Sequence, residues 1–290
     1  MKSIGFAALA ALAIVAGCDE APDPIPPPDK LGPRIAAVRA AVSKNEAALT
    51  DPIESHLDAL EATIQRIATA HGAESVETVQ ALTETSVLLT KKQRWDLALP
   101  FMERTLALSR EVYGFDHRET AYALHDVASI LAEMSPGEYV PRAEFLYRGA
   151  VDVRRRQAGI DDPETAASET QLAWQLLLGS KRESLPYRRD PMLAEAEQLA
   201  LHAQRVFDQH KDGSYWFQLR RMLIETAFAR EDYAEVAKRA RALLKEQDYE
   251  KGPGLYPDAT AQDLLAKAIH LQPELLPERE LPKARSSQTY

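Results

Sequence analysis

The chain has 290 residues, 45% of them hydrophobic and 27% charged, with a formal net charge of −9 and one cysteine. That acidity argues against a nucleic-acid binder or a protein lying on anionic lipid, and a lone thiol excludes an internal disulfide or a cysteine-based zinc cluster. Alanine and leucine dominate, glycines number only 12, and few stretches alternate with period two, so the expected class is all-α.

Residues 1–17 read as a secretory signal: Lys2, an apolar run too short for a comfortable transmembrane span, then Val15, Ala16, Gly17 and Cys18. These last four resemble the lipobox of bacterial lipoproteins, in which a peptidase cuts before an acylated cysteine. The resemblance implies lipid attachment at Cys18 and a chain anchored in the cell envelope, facing the periplasm. An ordinary signal with a chance cysteine is the other reading. Asp19 resembles a retention signal for the inner membrane in enterobacterial lipoproteins, a rule not shared by all bacteria, so inner or outer membrane stays open. Loss of residues 1–17 removes one lysine, and 34 basic against 44 acidic residues leave −10.

Residues 18–33 carry six prolines and read as an unstructured spacer. From Arg34 a helical period begins with Ile35, Val38 and Val42. A second helix, started by Asp51 and Pro52, continues through Leu57, Leu60, Ile64 and Ile67. This segment, 34–70, reads as an entry cap or a degenerate repeat.

Residues 71–250 repeat. The phrase GAESVET from Gly72 returns as GFDHRET from Gly114 and GIDDPET from Gly159, at spacings of 42 (114 − 72) and 45 (159 − 114) residues. Such a period signals stacked helical units. Glycine closes one helix, Ser75, Asp116 or Asp162 caps the next, and Glu77, Glu119 and Glu164 favour its positive end. The first unit spans Glu74–Thr90 and a helix from Trp95 to Gly114. The second adds three residues around Ser135, Pro136 and Gly137 to its turn. In the third, Lys181–Asp190 reads as a basic insertion loop before a helix at Pro191–Gln209. A fourth pair surrounds Leu223 and Val236 without the opening phrase. Residues 251–272 hold a closing helix, roughly Asp258–Leu271, and the proline-rich tail 273–290 reads as disordered.

Trp95, Ala98, Pro100, Glu103 and Leu106 stand in a phrase that resembles the second helix of kinesin-light-chain-type tetratricopeptide repeats. The resemblance covers roughly residues 71–248. It implies a right-handed superhelical solenoid of antiparallel helix pairs, about four repeats plus terminal caps. Ser86 with Ala98 and Ala128 with Ala143 take the small packing positions, because bulk there would push the axes beyond the 8–10 Å of tight packing. Met102 and Tyr147 take the large ones. At the fourth unit Ile224 replaces the small residue, which leaves the angle of that pair to the stack open.

Nucleotide, zinc-protease and serine-hydrolase signatures are absent, and no two histidines stand three or four apart. No catalytic residues, cofactor or metal are therefore expected, and the chain reads as a binding module, not an enzyme. In the resembling repeats the first helix of each pair lines a concave groove. Counting from the small residues places Thr83 and Val87, Tyr122, His125, Asp126 and Ser129, Thr170, Gln171 and Trp174, and Gln218, Arg221 and Glu225 along it, with Gln80, Glu84 and Ala167 in equivalent places. This lining suits an extended peptide with an aromatic anchor. Trp174 also fits a core position, and His125 a satisfied helix residue. Arg154, Arg155 and Arg156 fit either a helix C-terminus or an anion site.

The reading is a lipid-anchored envelope scaffold for an unidentified protein or peptide partner. Its rivals are a structural accessory of an assembly machine, acting through 181–190 or the convex face, and a cell-wall or peptidoglycan binder. Oligomeric state is not encoded in any of these features.

Overall fold

The computed structural model describes residues 28–44, 53–213, 215–251 and 259–276. The signal peptide, Cys18, residues 18–27 of the spacer, the helix start at Asp51 and the tail beyond 276 lie outside them. The described helices are α1 (Pro28–Ser43), α2 (Leu57–His71), α3 (Val76–Lys91), α4 (Trp95–Val112), α5 (Arg118–Glu133), α6 (Pro141–Gln157), α7 (Pro163–Arg182), α8 (Pro186–His210), α9 (Trp216–Ala229), α10 (Tyr233–Lys251) and α11 (Ala259–Leu271). No strand occurs among the described residues. From α3 onward each helix packs on the one before it and the one after it, so the molecule is a stack of antiparallel pairs.

The repeated phrase is built as a stop and a start. Gly72, Gly114 and Gly159 have φ of +103°, +91° and +102°, the left-handed region in which glycine escapes a Cβ penalty. Ser75 then accepts from the Thr78 amide, and Asp162 from those of Glu164 and Thr165. In the middle copy His117, not Asp116, caps α5, while Asp116 pairs with Arg156 one repeat unit away. The phrase's threonine has a role the capping argument omits. Thr78, Thr120 and Thr165 each donate from Oγ1 to the carbonyl of the glycine six residues before, at 2.8, 2.7 and 3.0 Å. Each hydroxyl thereby closes its turn into a ring.

The small positions do what the sequence predicts. Ala98, Ala128 and Ala143 are fully buried, and Ser86 donates to the Ala98 carbonyl at 3.0 Å, which draws α3 onto α4. Met102 and Tyr147 are buried between successive units. One apolar core runs from Val38 to Leu223, and a second around Ile224, Val236, Leu243 and Ala268 seals the C-terminal end under α11. Ile224 is thus tolerated because α11 also packs on α9.

Three boundaries differ from expectation for one reason. The helical period suggested starts at Arg34 and Pro191, but α1 begins at Pro28 and α8 at Pro186, leaving Pro33 and Pro191 inside. A proline in the second turn deletes one backbone hydrogen bond and is tolerated near an N-terminus where packing supports the helix. Pro100 in α4 stands at the same sixth position. The basic stretch Lys181–Asp190 is therefore not a loop: it is the end of α7, a three-residue link, and the first turns of α8. At the tail, Pro273–Leu275 forms a 3₁₀ turn held by Arg241, which donates to the Leu275 carbonyl, so these first residues of the expected disordered tail are ordered.

Ion pairs spaced by about one repeat stitch neighbours together: Glu61 with Arg104, Asp116 with Arg156, Arg118 with Glu164, Lys181 with Glu225, and Glu197 with Arg239. The first three are exposed and add only about 0–1 kcal/mol each, while Glu225 and the Glu197–Arg239 pair are more buried. The regular spacing of all five fixes register.

Candidate functional site

The first helices of successive pairs, α3, α5, α7 and α9, supply one wall of side chains. On α3, Thr83 and Val87 are half-buried, and Glu84 is engaged by Arg39 at 2.6 Å and Gln80 at 2.7 Å. Arg39 belongs to α1, which packs closely on α3. The N-terminal end of the wall is therefore occupied by the chain's own first helix.

On α5, the Tyr122 hydroxyl bonds Glu164 and Arg118, and its ring lies over the Arg154 guanidinium at 4.8 Å. His125 Nδ1 lies 3.0 Å from Ser168 Oγ, and its ring meets Tyr147 edge-on at 5.3 Å. Desolvation, aided by the Arg154 charge, pushes the imidazole pKa down to about 3, so the ring is neutral. Arg154 Nη1 donates to Ser168 at 2.6 Å. Ser168 Oγ thus accepts from Arg154 while facing Nδ1 of the neutral imidazole. Ser168 is sealed from solvent and in no position to act as a nucleophile. Ser129 donates to the His125 carbonyl and lies 3.0 Å from the Tyr147 hydroxyl.

Asp126 differs from its neighbours. It is only partly exposed and has no hydrogen bond or ion pair among the described residues. Desolvation raises its pKa to about 6, Glu119 adds to the rise, and Arg154 opposes it. A carboxyl whose folded pKa exceeds the unfolded value contributes stability that is complete below the unfolded pKa and lost as pH rises through the folded one. Asp126→Asn is thus expected to stabilise the protein by about 2 kcal/mol at pH 7.5 and to leave it unchanged near pH 4. Urea denaturation of both proteins at the two pH values checks this.

On α7, Thr170 is a correction: it is fully buried and donates back to Ala166, so it does not line the groove. The reason is that α7 packs against α6, α8 and α9, and a side chain as short as threonine stays within that packing. Gln171 is half-buried. Trp174 satisfies both of its readings, since one part packs on the core while Lys181 and Arg221 sit over the ring at 5.9 and 5.6 Å. On α9, Gln218 and Arg221 are half-buried, but Glu225 is also a correction. It is buried beneath Lys181, at 2.7 Å, and Arg221, at 3.3 Å, because one carboxylate is needed to hold two like charges over one indole.

Ser129, Gln171, Trp174 and Gln218 converge on a pocket of about 250 Å³. Sequence counting missed its other walls: Tyr147, Gln175 and the inserted turn with Pro136, Gly137 and Glu138. That turn is fastened to α7. The Val140 amide donates to Gln175 at 3.0 Å, Arg182 pairs with Glu138 at 3.1 Å, and Tyr139 presses where Gly179 has no side chain. A Cβ at Gly179 would stand 3.0 Å from the Tyr139 ring, so the glycine is required for the contact. The insertion around Ser135, Pro136 and Gly137 was the sequence signal for this wall, and its attachment to α7 carried none.

The three consecutive arginines do not form an anion site. Arg154 is buried against the Glu164 carbonyl and Ser168, Arg155 reaches Glu169, and Arg156 reaches Asp116. Among the described residues there is no group of three His, Asp, Glu or Cys able to hold a metal, and no helix long and apolar enough to cross a membrane.

No protein-family model matches the sequence, and no curated protein does. Solved structures do. A single-substitution form of a Podosopora anserina kinesin light chain with nearly identical TPR-like repeats aligns with a TM-score of 0.50 and 13% identity, over 83% of this chain and 95% of that one. Another structure of Podosopora anserina kinesin light chain repeats gives a TM-score of 0.49 at 13% identity, over 83% and 96%. At that identity the likeness is one of fold: the chain is a solenoid of TPR-like helix pairs.

Proposed function

We propose that this protein is a lipid-anchored scaffold of the bacterial cell envelope that holds an extended segment of a protein partner along the α5–α7–α9 wall. The observation that carries the reading is Asp126, a desolvated carboxylate left without a partner in the middle of that wall. A chain selected only for stability would replace it, because an unpaired, partly desolvated charge costs free energy. Around it stand the neutral His125 imidazole and the amides of Gln171 and Gln218, which suit the alternating donors and acceptors of peptide backbone. The lipobox-like run ending in Cys18, followed by a proline-rich spacer, supports tethering at the membrane surface with the groove held away from it.

The test is cross-linking and affinity purification of the tagged full chain from cells. Asp126→Ala combined with Trp174→Ala is expected to reduce recovery of co-purifying proteins at least about tenfold, the equivalent of one or two lost interface anchors. Unchanged partners at unchanged yield would remove the groove from the proposal. Cys18→Ser is expected to release the protein from membranes without changing what it holds.

A further inference from the structure

The pocket beside Trp174 has a chemistry narrower than the groove around it. Its walls carry two carboxylates, Glu133 and Glu138, and no lysine or arginine. Glu133 has no ion pair among the described residues, and Glu138 is held only by Arg182 in an exposed pair, which screens it weakly. The remaining polar groups are the amides of Gln171, Gln175 and Gln218, and the amide oxygens of Gln171 and Gln218 are free to accept. At about 250 Å³ the space is smaller than the ~300–1,000 Å³ of small-molecule sites, so it fits one side chain and not a cofactor.

It is also a built feature. The inserted turn that forms its outer wall is specific to the second repeat and is fastened to α7 by Gln175, Arg182 and the Tyr139–Gly179 contact. An unfastened insertion would hang in solvent, since added loop length costs little. This one is fixed where it deepens the groove and brings Glu138 to its rim. Asp126, one helical stretch back on α5, adds a further negative charge beside Tyr147.

We propose that this pocket receives a lysine or arginine side chain from an extended partner segment, so that the groove selects basic peptides. The inference rests on the groove reading above and adds the partner's charge. Glu133, which has no ion pair among the described residues, and Glu138, whose pair with Arg182 is exposed, favour a positive guest, since Lys181 and Arg221 over the Trp174 ring are already tied to Glu225. Free amide oxygens accept from its N–H groups, and its methylene stem lies along the exposed part of Trp174. The net charge of −9 works in the same direction by steering basic segments toward the protein.

The probe is a set of labelled random decapeptide pools, each with one central position fixed as Lys, Arg, Ala or Glu, titrated against the purified full chain by fluorescence anisotropy. Lys- and Arg-fixed pools are expected to bind about tenfold more tightly than Ala-fixed pools, and the preference should fall to about twofold or less in Glu133→Gln/Glu138→Gln. Both glutamates are exposed, and the Val140–Gln175 bond still holds the turn when the Glu138–Arg182 pair is lost. Glu133→Gln alone, which leaves that pair intact, should keep the parent's thermal melt and already weaken the preference. Gln218→Lys, which places the protein's own cation in the pocket, should abolish the preference independently. Equal binding of Ala- and Lys-fixed pools would overturn the charge selection while leaving the groove reading in place. Preference for Glu-fixed pools would reverse it. Absence of binding by every pool would remove both.

Discussion

Tyr147→Ala is expected to lower the free energy of unfolding by about 3–5 kcal/mol, the range for emptying a fully buried aromatic site. Tyr147 is 1% exposed and fills the space between the second pair and its neighbours. Its ring meets His125 at 5.3 Å and its hydroxyl reaches Ser129 at 3.0 Å. Tyr147→Phe keeps the volume and loses only that hydrogen bond, so it should cost about 1 kcal/mol. In a stack held together by nearest-neighbour contacts, a hole in a central unit also weakens the coupling of the two ends. The Ala variant should therefore show a broadened urea transition with a reduced slope, which the Phe variant should not. A sharp transition with the parent's midpoint would mean that the second pair does not hold the stack together.

Removing both side-chain partners from Glu169 is expected to be the second large effect. This carboxylate, fully buried on α7, receives Arg155 from α6 at 2.7 and 3.1 Å and His202 from α8 at 2.6 Å. Arg155→Ala/His202→Ala would leave an uncompensated charge inside the protein, at a cost of about 3–5 kcal/mol. Glu169→Leu replaces the charge with an apolar group of similar size and frees Arg155, already partly exposed, to hydrate. It should cost about 1 kcal/mol or less. Chemical denaturation of the two variants at neutral pH separates them. Equal losses would show that the Glu169 charge is not desolvated and that its partners act only by packing.

Much of the architecture was legible because helix pairs in a repeat obey local rules. Gly72, Gly114 and Gly159 announced each boundary, and Ser86, Ala98, Ala128 and Ala143 announced each close approach. Pro33 and Pro191 misled, since a proline reads as a helix start when it can also be carried inside a supported first turn or two. Thr78, Thr120 and Thr165 were in the repeated phrase all along, but their bonds run to a carbonyl six residues back, a closure that helical periodicity does not describe.

The groove was legible as a set of positions and not as a set of available groups. Counting from the small residues placed Tyr122, His125, Asp126 and Trp174 along one wall, and the structure carries them on the first helices α5 and α7. It could not tell that Glu84 would be taken by Arg39, that Thr170 would be buried, or that Glu225 would be engaged by Lys181 and Arg221. Helical period, capping and the alternation of small and large packing residues are properties of neighbours in the chain, and the sequence alone determined them. Which polar groups remain open to a partner depends on how far successive first helices lean together and where the inserted turn is pinned. Those are distances between residues about forty positions apart, and only the tertiary structure decided them.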